Sequence, residues 1–170
     1  GELLATDGFL TPPADGFAII ALWNSMMAML SGDGKVLHVS EAGFPYAYPL
    51  RYQKELKDKG VATAKWGKNL LVLTVGAPVV FEGDDPFGLT DRPPGMAHAC
   101  LSARGVVSFS HGVVWPSGEG LAYYGERGQA ILTENILTPE QWRALAPSTM
   151  VAGRWGRFYV CSYNDGAGLK

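Results

Sequence analysis

The apolar and polar positions of this chain fall into short runs cut by glycine. The clearest stretch is residues 61–83, V-A-T-A-K-W-G-K-N-L-L-V-L-T-V-G-A-P-V-V-F-E-G. β-Branched and aromatic residues bounded by glycine are the signature of strands joined by tight turns. The pattern predicts strands at 61–66, 69–75 and 78–82, with Gly67-Lys68 and Gly76-Ala77 as the turns. The same order of run, turn and run returns at Trp23 and Trp155, and in a weaker form, without tryptophan, at His111. Successive copies lie about 44 residues apart, within the range of propeller blades and similar arrays.

The remaining runs follow the same rule. Residues 17–23, 26–30 and 35–40 read as strands, joined by Asn24-Ser25 and by Gly32-Asp33-Gly34. Alanine, leucine and methionine across 18–30 also favour a helix. Strands are preferred because the register recurs later among β-branched residues. Further strands are expected at 97–101, 106–109, 113–115, 121–124, 130–133, 151–155 and 158–163. Residues 41–59 and 84–95 read as loops, and 1–15 as irregular, with Pro12 and Pro13 unable to donate to a ladder. One short helix is expected from Thr138, which can cap it, with Pro139 at the first position and Gln141 closing a capping box.

The expected fold is therefore mainly β: antiparallel blade-like repeats forming a partial β-propeller or an open stack, with one short helix. A leading segment (1–16) precedes a repeat domain (17–170), divided into units at 17–60, 61–104, 105–150 and a partial unit at 151–170. Three strands per unit are clear; the fourth is hidden in the loops. A ring takes roughly 4–8 blades to close, so an unfinished end needs a partner. The chain begins with glycine rather than methionine, which is expected of a processed start or of a piece of a longer chain.

Composition narrows the function. Apolar residues make up 47% and charged residues 18%, so the chain builds a core. A net charge of −2 argues against nonspecific binding to nucleic acid or to an anionic membrane. The basic residues Arg51, Lys54, Lys57 and Lys59 alternate with Glu55 and Asp58 and read as a solvated face. No apolar run reaches membrane-spanning length. The only cysteines, Cys100 and Cys161, sit in apolar runs and read as free buried thiols.

Chemistry-bearing motifs are sparse. His38, His98 and His111 have no metal-ligand spacing. Asp84, Asp85 and Asp91 lack the alternating ligands of a calcium loop. No G-x-S-x-G and no phosphate loop occurs, so no enzyme, cofactor or metal is expected. The residues most suited to recognition are aromatic. Phe44, Tyr46, Tyr48 and Tyr52, between Pro45 and Pro49, either present a contact surface or fold the loop onto its own sheet. Trp142 marks the helix as a second candidate interface.

Several words of the sequence carry a resemblance. They are S-E-A-G-F-P-Y-A-Y-P (40–49), W-G-K-N-L-L-V-L-T-V-G-A-P-V-V-F-E-G-D-D-P (66–86), G-V-V-W-P-S-G-E-G-L (112–121) and L-T-P-E-Q-W-R-A-L-A-P-S (137–148). In this order the chain, from about residue 23 to 163, resembles structural proteins of tailed-bacteriophage and prophage particles built on β-propeller-like repeats. The resemblance implies a tail or neck component of the virion, assembled in the host cytoplasm and acting through contacts with other virion proteins and with copies of itself. It also implies longer relatives and carries no catalytic residues. The alternative reading is a propeller module that binds a ligand or host glycan through its loop aromatics; a propeller hydrolase is disfavoured by the missing motifs.

Overall fold

The computed structural model describes residues 9–10, 12–83, 85–86, 90–92, 95, 98–164, 166 and 168. After β1 (Phe9–Leu10) the chain builds a four-stranded antiparallel sheet. Its strands are β2 (Phe17–Ala21), β3 (Met27–Leu30), β4 (Val36–Val39) and, beyond the short β5 (Tyr48–Pro49), β6 (Lys54–Glu55). A second sheet runs β7 (Gly60–Trp66), β8 (Asn69–Thr74), β9 (Val79–Glu82) and β10 (Thr90–Arg92). A third runs β11 (Val107–Phe109), β12 (Gly112–Pro116), β13 (Leu121–Gly125) and β14 (Gly128–Ile131). The helix α1 (Pro139–Ala144) leads to a hairpin of β15 (Val151–Trp155) and β16 (Phe158–Ser162). Each of these sheets is a simple up-and-down meander. Among the described residues their ladders do not close into a barrel.

The chain is thus mainly β, and residues 18–30 form strands rather than a helix. Asn24 and Ser25 both take positive φ (53° and 55°), the two-residue hairpin turn whose twist matches its flanking strands. Trp66 and Trp155 close the first strands of their sheets, and Trp23 lies two residues beyond the end of β2.

Successive sheets stack face to face, and each interface is apolar. Leu30, Leu37 and Val39 of the first sheet meet Leu70, Val72 and Phe81 of the second. Ala64, Trp66, Leu71 and Leu73 of the second meet Val113, Trp115, Ala122 and Tyr124 of the third. Val107, Phe109, Val114 and Tyr123 of the third meet Ala152 and Tyr159 of the hairpin. Strand β8 feeds two interfaces, because alternate side chains point to opposite faces. Its N-L-L-V-L-T sequence, apolar without alternation, is what burial on both faces requires. Polar groups cross the same interfaces. Thr63 donates its hydroxyl to the Ala18 carbonyl (2.5 Å), Lys65 reaches the Ala21 carbonyl, and the Tyr159 hydroxyl donates to the Gly105 carbonyl (2.8 Å).

The fourth strands of the first two sheets lie inside the loops, as expected: β6 pairs with β4, and β10 with β9. Both are short and polar, so the ladder of the neighbour sets them and not their own pattern. Three expectations are corrected. The segment taken as irregular holds β1, which pairs with β5. Residues 98–101 are not a strand. There Cys100 N–H bonds the Thr74 carbonyl and Leu101 N–H bonds the Pro116 carbonyl, so this segment ties the second sheet to the third; position 97 lies outside the described residues. Finally β14 begins at Gly128, two residues before the expected run.

The helix forms as its sequence dictates. The Thr138 hydroxyl accepts from Gln141 N–H (3.3 Å), and the Gln141 side chain accepts from Thr138 N–H (2.9 Å). Trp142 is its anchor: the ring is buried, and its N–H donates to the Ser117 carbonyl at 2.8 Å.

The stack makes the tryptophans energetically unequal. Trp66 is 6% exposed and meets Tyr124 edge to face at 5.6 Å, whereas Trp155 is 74% exposed. Trp66→Ala is expected to lower unfolding free energy by about 3–5 kcal/mol, and Trp155→Ala by less than about 0.5 kcal/mol. Urea denaturation of the two variants checks this; equal losses would contradict the stacked arrangement.

Candidate functional site

Two exposed apolar surfaces stand out. The first is the loop between β4 and β5. Phe44 and Tyr46 are exposed and pack edge to face, ring centroids 6.1 Å apart. The loop is fixed at its base: Glu41 accepts from the Tyr52 hydroxyl (3.0 Å) and from Arg51 (3.4 Å), and the Arg51 guanidinium lies 4.9 Å from the centre of the Tyr52 ring. The five aromatic residues expected to form interfaces therefore divide. Phe44 and Tyr46 face solvent. Tyr48, Tyr52 and Trp142 are corrected to core positions, at 2%, 6% and 3% exposure. Tyr48 is held in the β1–β5 ladder, Tyr52 lies in the cluster between the first two sheets, and Trp142 secures the helix to the turn after β12.

The second surface was not foreseen. On the β15–β16 hairpin, ladder alternation puts Trp155, Phe158 and Val160 on one face, and all three are exposed. The opposite face carries Ala152 and Tyr159 and rests on the third sheet. Beside the hairpin a cavity of about 340 Å³ opens over the third sheet. Phe109, Val114, Tyr123, Leu132, Phe158 and Tyr159 form its apolar lining, and His111, Arg127 and Arg157 the polar part. Burial raises the Tyr159 hydroxyl well above its ordinary range, so it stays protonated and donates to Gly105. The sequence signal for this site was the two-strand length of the last unit, set beside its cationic R-W-G-R-F turn.

The titratable groups elsewhere are mostly structural. Burial pushes the Cys100 thiol up to about 12, and it also raises Cys161. Desolvation holds His38 below its ordinary value, against the opposing pull of Asp15 and Asp33. His98 lies 3.3 Å from Glu119, and Tyr123 donates to the His111 carbonyl at 2.8 Å. Among the described residues no three His, Cys, Asp or Glu side chains converge as a metal site. No helix there is long and apolar enough to cross a membrane. Asp85 is exposed and Asp91 falls within β10; Asp84 lies outside the described residues.

Comparison with protein-family models and with curated proteins finds no match for this chain.

Two measurements test these placements. Tyr48→Ala is expected to cost about 3 kcal/mol of stability or more, and Tyr46→Ala less than about 0.5 kcal/mol; similar losses from both would reverse the division of the loop. The thiols should also differ. Cys100 is the buried thiol expected, but Cys161 is corrected to an exposed one, so a thiol reagent at pH 8 is expected to label Cys161 in the native chain and Cys100 only after unfolding. The Cys100 proton is held to about 12 in the fold against 9.0 ordinarily. Its contribution to stability is therefore complete below pH 9.0 and is lost as the pH rises towards 12. Cys100→Ala should flatten that alkaline decline.

Proposed function

We propose that this chain is a structural component of a tailed-phage particle, at the tail or neck, that works through protein–protein contacts. The observation that carries the reading is the apolar face left open at the end of the stack, where Trp155, Phe158 and Val160 are 74%, 53% and 50% exposed. Contiguous apolar surface of this kind marks a contact site, and assemblies reuse one surface in many copies. Phe44 and Tyr46 supply a second candidate contact, and the sequence words at 40–49 and 137–148 point to the same class of protein.

The finer architecture belongs to this reading. The three meanders and the hairpin start at Phe17, Gly60, Val107 and Val151, so the spacing stays close to the 44-residue repeat. We take them as successive blades of a propeller-like array, the last with two strands among the described residues. The partners are other virion proteins and copies of the chain, and the location is the virion, assembled in the host cytoplasm.

An antibody raised against the chain is expected to label purified particles in electron micrographs, with the chain recovered from those particles by mass spectrometry. Its absence from particles would overturn the proposal. Absence from particles together with saturable binding on a glycan array would favour the glycan-binding alternative.

A further inference from the structure

We propose that the edge of β16 and the adjoining cavity accept one extended strand of a partner protein, with alternating apolar side chains and a carboxylate at its C-terminal end. The proposal rests on the reading of the chain as an assembly component and names the chemistry of one partner.

The three complete sheets are the template. Each has four strands, and the third and fourth of each lie beyond the second. Among the described residues the hairpin has two strands, and β16 pairs only with β15. In a hairpin with a two-residue turn the flanking pair, here Trp155 and Phe158, exchanges hydrogen bonds. Alternation then directs the N–H and C=O of Tyr159 and Cys161 away from β15, where an added strand can pair with them. Tyr159 of β16 bounds the cavity, which Val114, Tyr123 and Leu132 also line, and the proposed strand lies over these residues. The cavity continues the apolar interface already formed by Val107, Phe109, Ala152 and Tyr159.

Charge selects the occupant. Arg127 and Arg157 border the cavity, the second with its guanidinium 5.4 Å from the centre of the Phe158 ring, and the carboxylates Glu41, Glu119 and Glu140 are engaged elsewhere, with Arg51, His98 and Arg143. In the second sheet the third strand brings Glu82 opposite Asn69, the first residue of β8 after its turn. The equivalent residue of the last sheet is Phe158. An antiparallel strand in the same register sets its carboxylate beside Arg157, while residues equivalent to Val79 and Phe81 face the underlying sheet, as those two do.

The chain's own third strand therefore supplies the probe: a fluorescent peptide with the sequence of residues 77–83, A-P-V-V-F-E-G, titrated into the isolated protein by anisotropy. Saturable binding is expected. Cys161→Pro, tolerated on an edge whose N–H faces solvent, should abolish it. The double variant Arg127→Glu, Arg157→Glu should weaken it about tenfold or more, as should a peptide with lysine in place of its glutamate. Thermal unfolding of each variant confirms that it is folded. No binding to the folded wild-type chain, or binding indifferent to Cys161→Pro, would overturn the proposal. Self-association that Cys161→Pro removes, without peptide binding, would overturn it in favour of a second copy as occupant. Because the isolated chain is used, failure here leaves the particle reading standing, and a chain missing from particles leaves the peptide result standing.

Discussion

Apolar burial between neighbouring sheets is the constraint on which the rest of the structure depends. Leu70 and Val72 point to one side of β8 and Leu71 and Leu73 to the other, and all four are fully buried. A sheet of this kind has no face to give to water. It requires a neighbour on each side, and the chain supplies those neighbours in order along its own length. Burial of each such side chain is worth about 1.5–3 kcal/mol, several times the net value of a typical hydrogen bond. The bonds from Thr63 to Ala18 and from Tyr159 to Gly105 therefore fix how the sheets lie on one another, while the apolar contacts hold them together.

The same logic explains what is exposed. Trp66 and Phe109 end the first strands of the second and third sheets, and each ring packs into the sheet that follows. Trp155 ends the first strand of the hairpin, and among the described residues no sheet follows for its ring to pack into. Its exposure and the open cavity beside Tyr159 go together: among the described residues this unit has two strands where the other three have four.

Much of this was legible in the residues. Strands β7, β8, β12 and β15 carry their own pattern, because glycine ends them and apolar residues fill them. The helix was legible from Thr138, Pro139 and Gln141, whose roles are local. Strands β6 and β10 were not legible. Lys54-Glu55 and Thr90-Asp91-Arg92 become strands only because a neighbouring edge offers hydrogen bonds. The aromatic loop failed for a related reason. Its composition announces contact, but which rings turn inward is decided by the β1–β5 ladder and by Glu41, both remote from the pattern itself. Trp142 sits in a helix of six residues, too short for its apolar side to register as a periodicity. The cavity had no motif, since its lining comes from side chains scattered over the third sheet and the hairpin.

The Trp23 indole nitrogen is buried, and its N–H meets no acceptor among the described residues. Trp23 lies between the first two sheets, where phenylalanine would offer a ring without that stranded polar atom. Position 23 is therefore one where chemistry and shape ask for slightly different residues.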